Sequence, residues 1–226
     1  MDTLERHSGL IGRFAWVMAW FALVAGQLHA LARHRTADGK ADLDLLTTRF
    51  WAEPVGHALR PLFDWSNPDV VYVTYGKIWF PVFVAFFLCA LLTFRRRRPT
   101  GFEKGTWWVV LVAYGVAVVD VFAEYWTSWT SVDYGLIDTV FLITLPAVLV
   151  TVVGTSVLGI TLLVKGFRPR VSAWLLALTF PLAIVISMFT SMGNMVLPIA
   201  FAFGIIGRRL AVEETGEVTA VQPAVA

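Results

Sequence analysis

From Thr106 to Trp126 the chain reads TWWVVLVAYGVAVVDVFAEYW, long and apolar enough to cross a lipid bilayer. A helix rises about 1.5 Å per residue, so roughly 20 residues span a hydrocarbon core about 30 Å thick. Five further apolar runs can be drawn, at about 10–31, 75–94, 137–164, 171–189 and 194–210. Composition agrees: 58% of the 226 residues are apolar and only 15% charged, against about 25% charged in soluble domains. The sequence therefore predicts an all-α fold, a polytopic transmembrane helical bundle of six spans over residues 1–210. Residues 211–226, acidic and then small and proline-containing without periodicity, are expected to be a disordered cytoplasmic tail.

Lysine and arginine set the expected orientation. Arg6 and Arg13 precede the first run, Arg95 to Arg98 with Lys104 follow the second, Lys165, Arg168 and Arg170 follow the fourth, and Arg208 and Arg209 close the sixth. With six crossings all of these fall on one side, while the connections at 127–136 and 190–193 contain no lysine or arginine. The expected arrangement is a multi-pass plasma-membrane protein with both termini cytoplasmic. Arg13 followed by FAWVMAWFALVAG and Ala30-Leu31-Ala32 also has the outline of a signal peptide. Asp2, Glu5 and the two tryptophans within the run argue for its retention as a span. The fourth run is longer than a crossing needs and holds Pro146, so it should tilt, kink or continue along the interface.

The one long connection, 32–74, is expected outside, with its acids and bases nearly balanced. Within it DLDLLTTRFWAEPVGHALRPLFDW reads as an amphipathic helix, broken into two short pieces by Pro54 and Pro61. Trp51, Val55, Leu59 and Leu62 would form its apolar face, and Glu53, His57, Arg60 and Asp64 its polar one. Such a segment would lie on the outer leaflet or cap the bundle as a cover.

Chemistry concentrates on the third span. Asp120 and Glu124 lie one turn apart, so they share a helix face. Acids within a span are costly and usually turn toward a bundle interior or a water-filled cavity. With them on the outer side stand Gln27 and His29 at the end of the first span, His57 in the connection, and Asp133 and Asp138 before and at the start of the fourth. These make Asp120, Glu124, His29, His57, Asp138 and Gln27 the candidate pocket residues. Plainer roles compete: an interfacial polar cap for Gln27 and His29, a solvated helix face for His57, and a helix N-terminal acid for Asp138. Ala147, Thr151, Thr155 and Gly159 form a small-residue stripe suited to close helix packing.

Several activities lack their residues. The single cysteine, Cys89, leaves no CxxC pair, internal disulfide or thiolate zinc site within this chain. No HExxH, nucleotide-binding or serine-hydrolase motif is present. Haem held by two histidines within spans is disfavoured, because only His29 lies in one. No catalytic residue, metal site or cofactor is assignable, and nucleic acid is not an expected partner. The lipid bilayer is the expected partner, and a membrane-protein partner subunit is the other candidate. The reading that asks least is a binding or accessory protein, non-enzymatic, with an outward polar pocket for a small solute, lipid or partner. An enzyme acting on a lipid-linked substrate at the outer leaflet would need His29 or His57 within reach of Asp120 or Glu124. A proton-coupled transporter using Asp120 would need a polar path to the inner side, where the spans offer few polar residues.

Overall fold

The structure, a computed structural model, describes residues 3–130 and 134–221, with side chains at all of these except 3, 134, 138 and 215–221. It is all-α. A short helical turn, α1 (Thr3–Arg6), leads into α2 (Ser8–Arg33). A 3₁₀ segment (Asp38–Asp44) and α3 (Leu46–Ala58) follow, then α4 (Pro68–Gly76) and α5 (Trp79–Arg97). Next come α6 (Gly101–Val121), ending in a π turn (Phe122–Trp126), and α7 (Tyr134–Val164). The chain finishes with α8 (Arg170–Ala177), α9 (Thr179–Phe189), a 3₁₀ turn (Met192–Val196) and α10 (Leu197–Val221). Five stretches are long and apolar enough to cross a membrane: Ser8–Arg33, Pro68–Arg97, Gly101–Trp126, Gly135–Val164 and Met192–Glu214. The pair α8 and α9, bent by 65°, makes up to six.

The second span starts earlier than its hydropathy suggests. Asn67 caps α4 by accepting from the Asp69 backbone N–H at 2.9 Å, and Pro68 occupies the first helical position, where no N–H is needed. This brings Tyr72 into the bundle and shortens the connection between the first two spans. At the other end of the chain, α10 continues to Val221 instead of ending at 210. Its Glu214 lies against Gly9 near the start of α2, so the two terminal helices remain side by side there.

Helices α2 and α10 pack backbone to backbone. A Cβ added to Gly12 would collide with the Gly207 carbonyl, and one added to Gly207 would lie 2.6 Å from the Gly12 carbonyl oxygen. Gly12, Ala15, Ala19, Ala22 and Gly26 give α2 a smooth buried face. Without a hydrophobic drive between helices in lipid, such small surfaces permit the backbone approach that holds helices together.

Pro181 explains the bend between α8 and α9. It has no N–H and its ring crowds the carbonyl four residues earlier, at Ala177, where α8 ends. In lipid the freed backbone groups need partners. Ser156 of α7 supplies one, accepting from the Phe180 N–H at 2.9 Å. Gly159 lets α7 approach the same break, since a Cβ there would strike the Ala177 backbone. Ala147 and Thr151, from the same stripe, instead line open space.

The basic segments gather at one end of the bundle. Arg96 pairs with Glu5 at 3.0 Å, Arg97 with Glu103, and the Arg97 guanidinium sits over the Phe167 ring, 5.2 Å from its centroid. Arg208 covers Trp16 in the same way. The opposite end carries the long connection. There α3 passes unbroken through Pro54 and ends only at Ala58, ahead of Pro61, so one proline of the expected two interrupts it. Thr47 and Thr48 donate to the Met188 carbonyl, and Trp51 to that of Phe189, which ties α3 to the end of α9. Ala52, Phe63, Leu31 and Val71 make a small core beneath it. His34 is buried here, its ring 6.4 Å from that of Trp51, and burial pushes its pKa below the ordinary imidazole value against the pull of Asp42. Val55 and Leu62, of the expected apolar face, are exposed, as are Leu46 and Phe50.

Candidate functional site

Away from the basic end, helices α2, α4, α5, α6 and α7 and the turn before α10 enclose a cavity of about 660 Å³. Its size falls within the range usual for small-molecule sites. Ala117, Asp120, Val121, Glu124 and Tyr125 furnish one wall, at the spacing of a single helix face. The π turn that ends this span contains Glu124 and Tyr125. Such turns are rare and recur at functional sites. Across the space, α7 presents Phe141, Thr144, Ala147 and Thr151.

The two acids sit differently. Asp120 is half-buried and accepts a hydrogen bond of 2.6 Å from the Thr144 hydroxyl. Glu124 lies beside the Tyr125 hydroxyl and within electrostatic range of both Asp120 and Arg33. Arg33 is itself engaged, donating to Asp42 at 2.8 Å. Asp38 and Asp69 edge the cavity at the end of α2 and the start of α4, where Ala37 and Asp38 are exposed.

His29 is held in an aromatic cage. Its ring stacks on Tyr72 at 4.6 Å and meets Tyr125 edge-on at 5.4 Å, while the two tyrosine hydroxyls lie 3.2 Å apart. The indole N–H of Trp79 donates to His29 Nδ1 at 3.0 Å. An indole can only donate, so Nδ1 must be the unprotonated nitrogen and Nε2 carries the proton. Nε2 is buried and has no hydrogen-bond partner among the described residues. The hydroxyls of Thr151 and Ser191, on the same cavity, share that condition. Buried polar groups are normally paired, so three on one cavity call for an explanation. Gly76 permits the cage, because a Cβ there would run into the Tyr125 ring.

The cavity is closed toward the basic end. Beyond Phe83 and Thr151, Tyr114 and Thr155 share a hydrogen bond of 2.8 Å, and Phe86, Trp107 and Phe203 pack around Tyr114 or one another. All five of these aromatic and threonine side chains are fully or nearly fully buried.

Of the residues singled out in the sequence, Asp120, Glu124 and His29 are brought to this one cavity. Gln27 turns back on its own helix, donating to the Leu23 carbonyl at 3.4 Å, and does not line the space. His57 is exposed on α3 and lies apart from it, and Arg60 of the expected polar row pairs with Asp64 at 3.2 Å. Asp138 lies in α7, but its side chain, like the whole of Asp133, is outside the described residues. No residue of 44–64 lines the cavity, so α3 is not its cover. The cage residues Tyr72, Trp79 and Tyr125 and the Thr144 partner were not among the sequence candidates. The run Asn67-Pro68-Asp69 was a legible helix start that would have placed Tyr72 within a span.

Among the described residues, no group of three or more His, Cys, Asp or Glu side chains could hold a metal ion. No protein-family model, curated protein or solved structure matches the chain. What the arrangement offers is a mostly apolar space with carboxylates on one wall and a buried imidazole beside them.

Proposed function

We propose that this polytopic membrane protein binds a small molecule in the cavity bounded by Asp120, Glu124 and His29. The observation that carries the reading is the concentration of unpartnered polar atoms, His29 Nε2, Thr151 Oγ1 and Ser191 Oγ, on the same walls as the acidic pair. Leaving a buried donor or acceptor unmade costs about 1–3 kcal/mol, a cost a bound molecule would offset. The aromatic closure at Tyr114 and Phe203 favours binding over passage. Mild extraction followed by native mass spectrometry tests it. A small molecule should travel with the wild-type protein and be lost from Ala147→Phe, which fills the cavity from a partly exposed position. A wild-type mass with no added molecule, under conditions that preserve the fold, would count against the reading.

The topology proposed with it has six crossings, both termini cytoplasmic, and the cavity facing outward across the plasma membrane. The contacts of the bent pair support six. Phe167, just before α8, touches Arg97 at the basic end, whereas Gly193, just after α9, abuts Trp79 and His29 at the cavity end. A re-entrant pair would start and finish at one end. Cysteines placed at Lys165 and Met192, both exposed, should react with an impermeant thiol reagent from opposite faces of the membrane. Cys89 is buried and stays silent in that experiment. Labelling of both from one face would remove the sixth crossing.

A further inference from the structure

We infer that the molecule bound in this cavity is a lipophilic amine: a compact apolar body carrying a protonated nitrogen. The inference rests on the binding reading and adds the chemistry of the ligand.

Charge is the first reason. The acids of α6, Asp120 and Glu124, stand on the wall, with Asp38 at the edge, and Arg33, the cationic side chain on the same cavity, already serves Asp42. An anionic ligand would meet like charge at these carboxylates, and a neutral one would displace water from them without supplying a charged partner. A protonated amine gives both acids of α6 a charge-assisted partner, the stronger class of hydrogen bond. Asp120 has accepting capacity to spare, since among the described residues Thr144 supplies the hydrogen bond it receives.

The walls give the second reason. Tyr72, Tyr125, Trp79, Phe83 and Phe141 put five aromatic rings on the cavity. Aromatic faces attract ammonium groups, more strongly where water is excluded, and their surfaces accept an apolar body. The amine belongs toward Asp120 and Glu124.

Three probes of one shape separate the possibilities: 1-adamantylamine, 1-adamantanol and adamantane-1-carboxylate. Each is titrated into the full chain in nanodiscs of zwitterionic lipid, with unfolding followed by a thiol-reactive dye that reads the emergence of the buried Cys89. The amine should raise the unfolding midpoint in a saturable way, while the alcohol and carboxylate should not. In Glu124→Gln and Asp120→Asn the apparent affinity for the amine should fall about tenfold or more, the loss expected for one charge-assisted contact. The wild-type comparison needs no variant to fold. A carboxylate or alcohol that stabilises as well as the amine overturns the ligand class while leaving the cavity a binding site. If all three probes fail yet a copurifying molecule is lost from Ala147→Phe, the class again falls and the site stands. Failure of the probes together with no copurifying molecule overturns both.

Discussion

Gly12→Leu is expected to prevent α2 and α10 from meeting and to leave little extractable, monodisperse protein. The obstacle facing the new side chain is the Gly207 backbone carbonyl, which cannot rotate aside as the end of a long side chain would. Overpacking a core costs about 1–3 kcal/mol where side chains can adjust, and more where they cannot. In this pair both surfaces are backbone, and Gly204 continues the contact one turn earlier, where an added Cβ would lie 3.0 Å from that of Ala19. The helices would have to separate along their length. Gly12→Ala should show a smaller version of the same loss, and Leu10→Ala, exposed on the lipid side of α2, should be near wild type. Size-exclusion profiles and unfolding midpoints in one detergent decide it. A monodisperse Gly12→Leu protein with an unchanged midpoint would contradict the α2–α10 contact.

That contact shows where reading the sequence reached its limit. Hydropathy marks apolar runs regardless of what they touch, so the helical class and most of the apolar stretches were visible. Partner choice was not, because Gly12, Ala15 and Ala19 are unremarkable until Gly207 is known to face them. The bend at Leu178 had its cause in view, Pro181, but its outcome depended on Ser156 from another helix. Likewise the acid pair was conspicuous because charge in a span is rare, whereas the cage around His29 is made of tyrosine and tryptophan. Those residues are so common at membrane interfaces that their presence says little until their rings converge. His57 misled for the opposite reason: helical spacing beside Glu53 and Arg60 established a shared face, and that face is the exposed one.

Arg97→Leu should destabilise the bundle by about 3 kcal/mol, far more than Glu103→Gln. The asymmetry follows from burial: the Glu103 side chain is 7% exposed and that of Arg97 24%. Losing the arginine strands a carboxylate out of water, and breaking a buried pair this way typically costs about 3–5 kcal/mol. The lower end applies because Glu103 lies in the first turn of α6, where the helix dipole favours an acid. Losing the carboxylate is milder, since Arg97 keeps its place over the Phe167 ring and its long stem can carry the charge to water or headgroups. Arg97→Leu combined with Glu103→Leu should recover much of the loss, because the stranded charge is then gone. Unfolding midpoints of the two single variants and the double variant test this, and equal losses from the single variants would contradict it. The same variants separate stability from binding. Arg97 is at the end of the bundle remote from the cavity, so its loss should lower the midpoint while the amine still raises it. Glu124→Gln should do the reverse, holding the midpoint and losing the response. Only a site whose polar groups serve a ligand, rather than the fold, gives that crossed pattern.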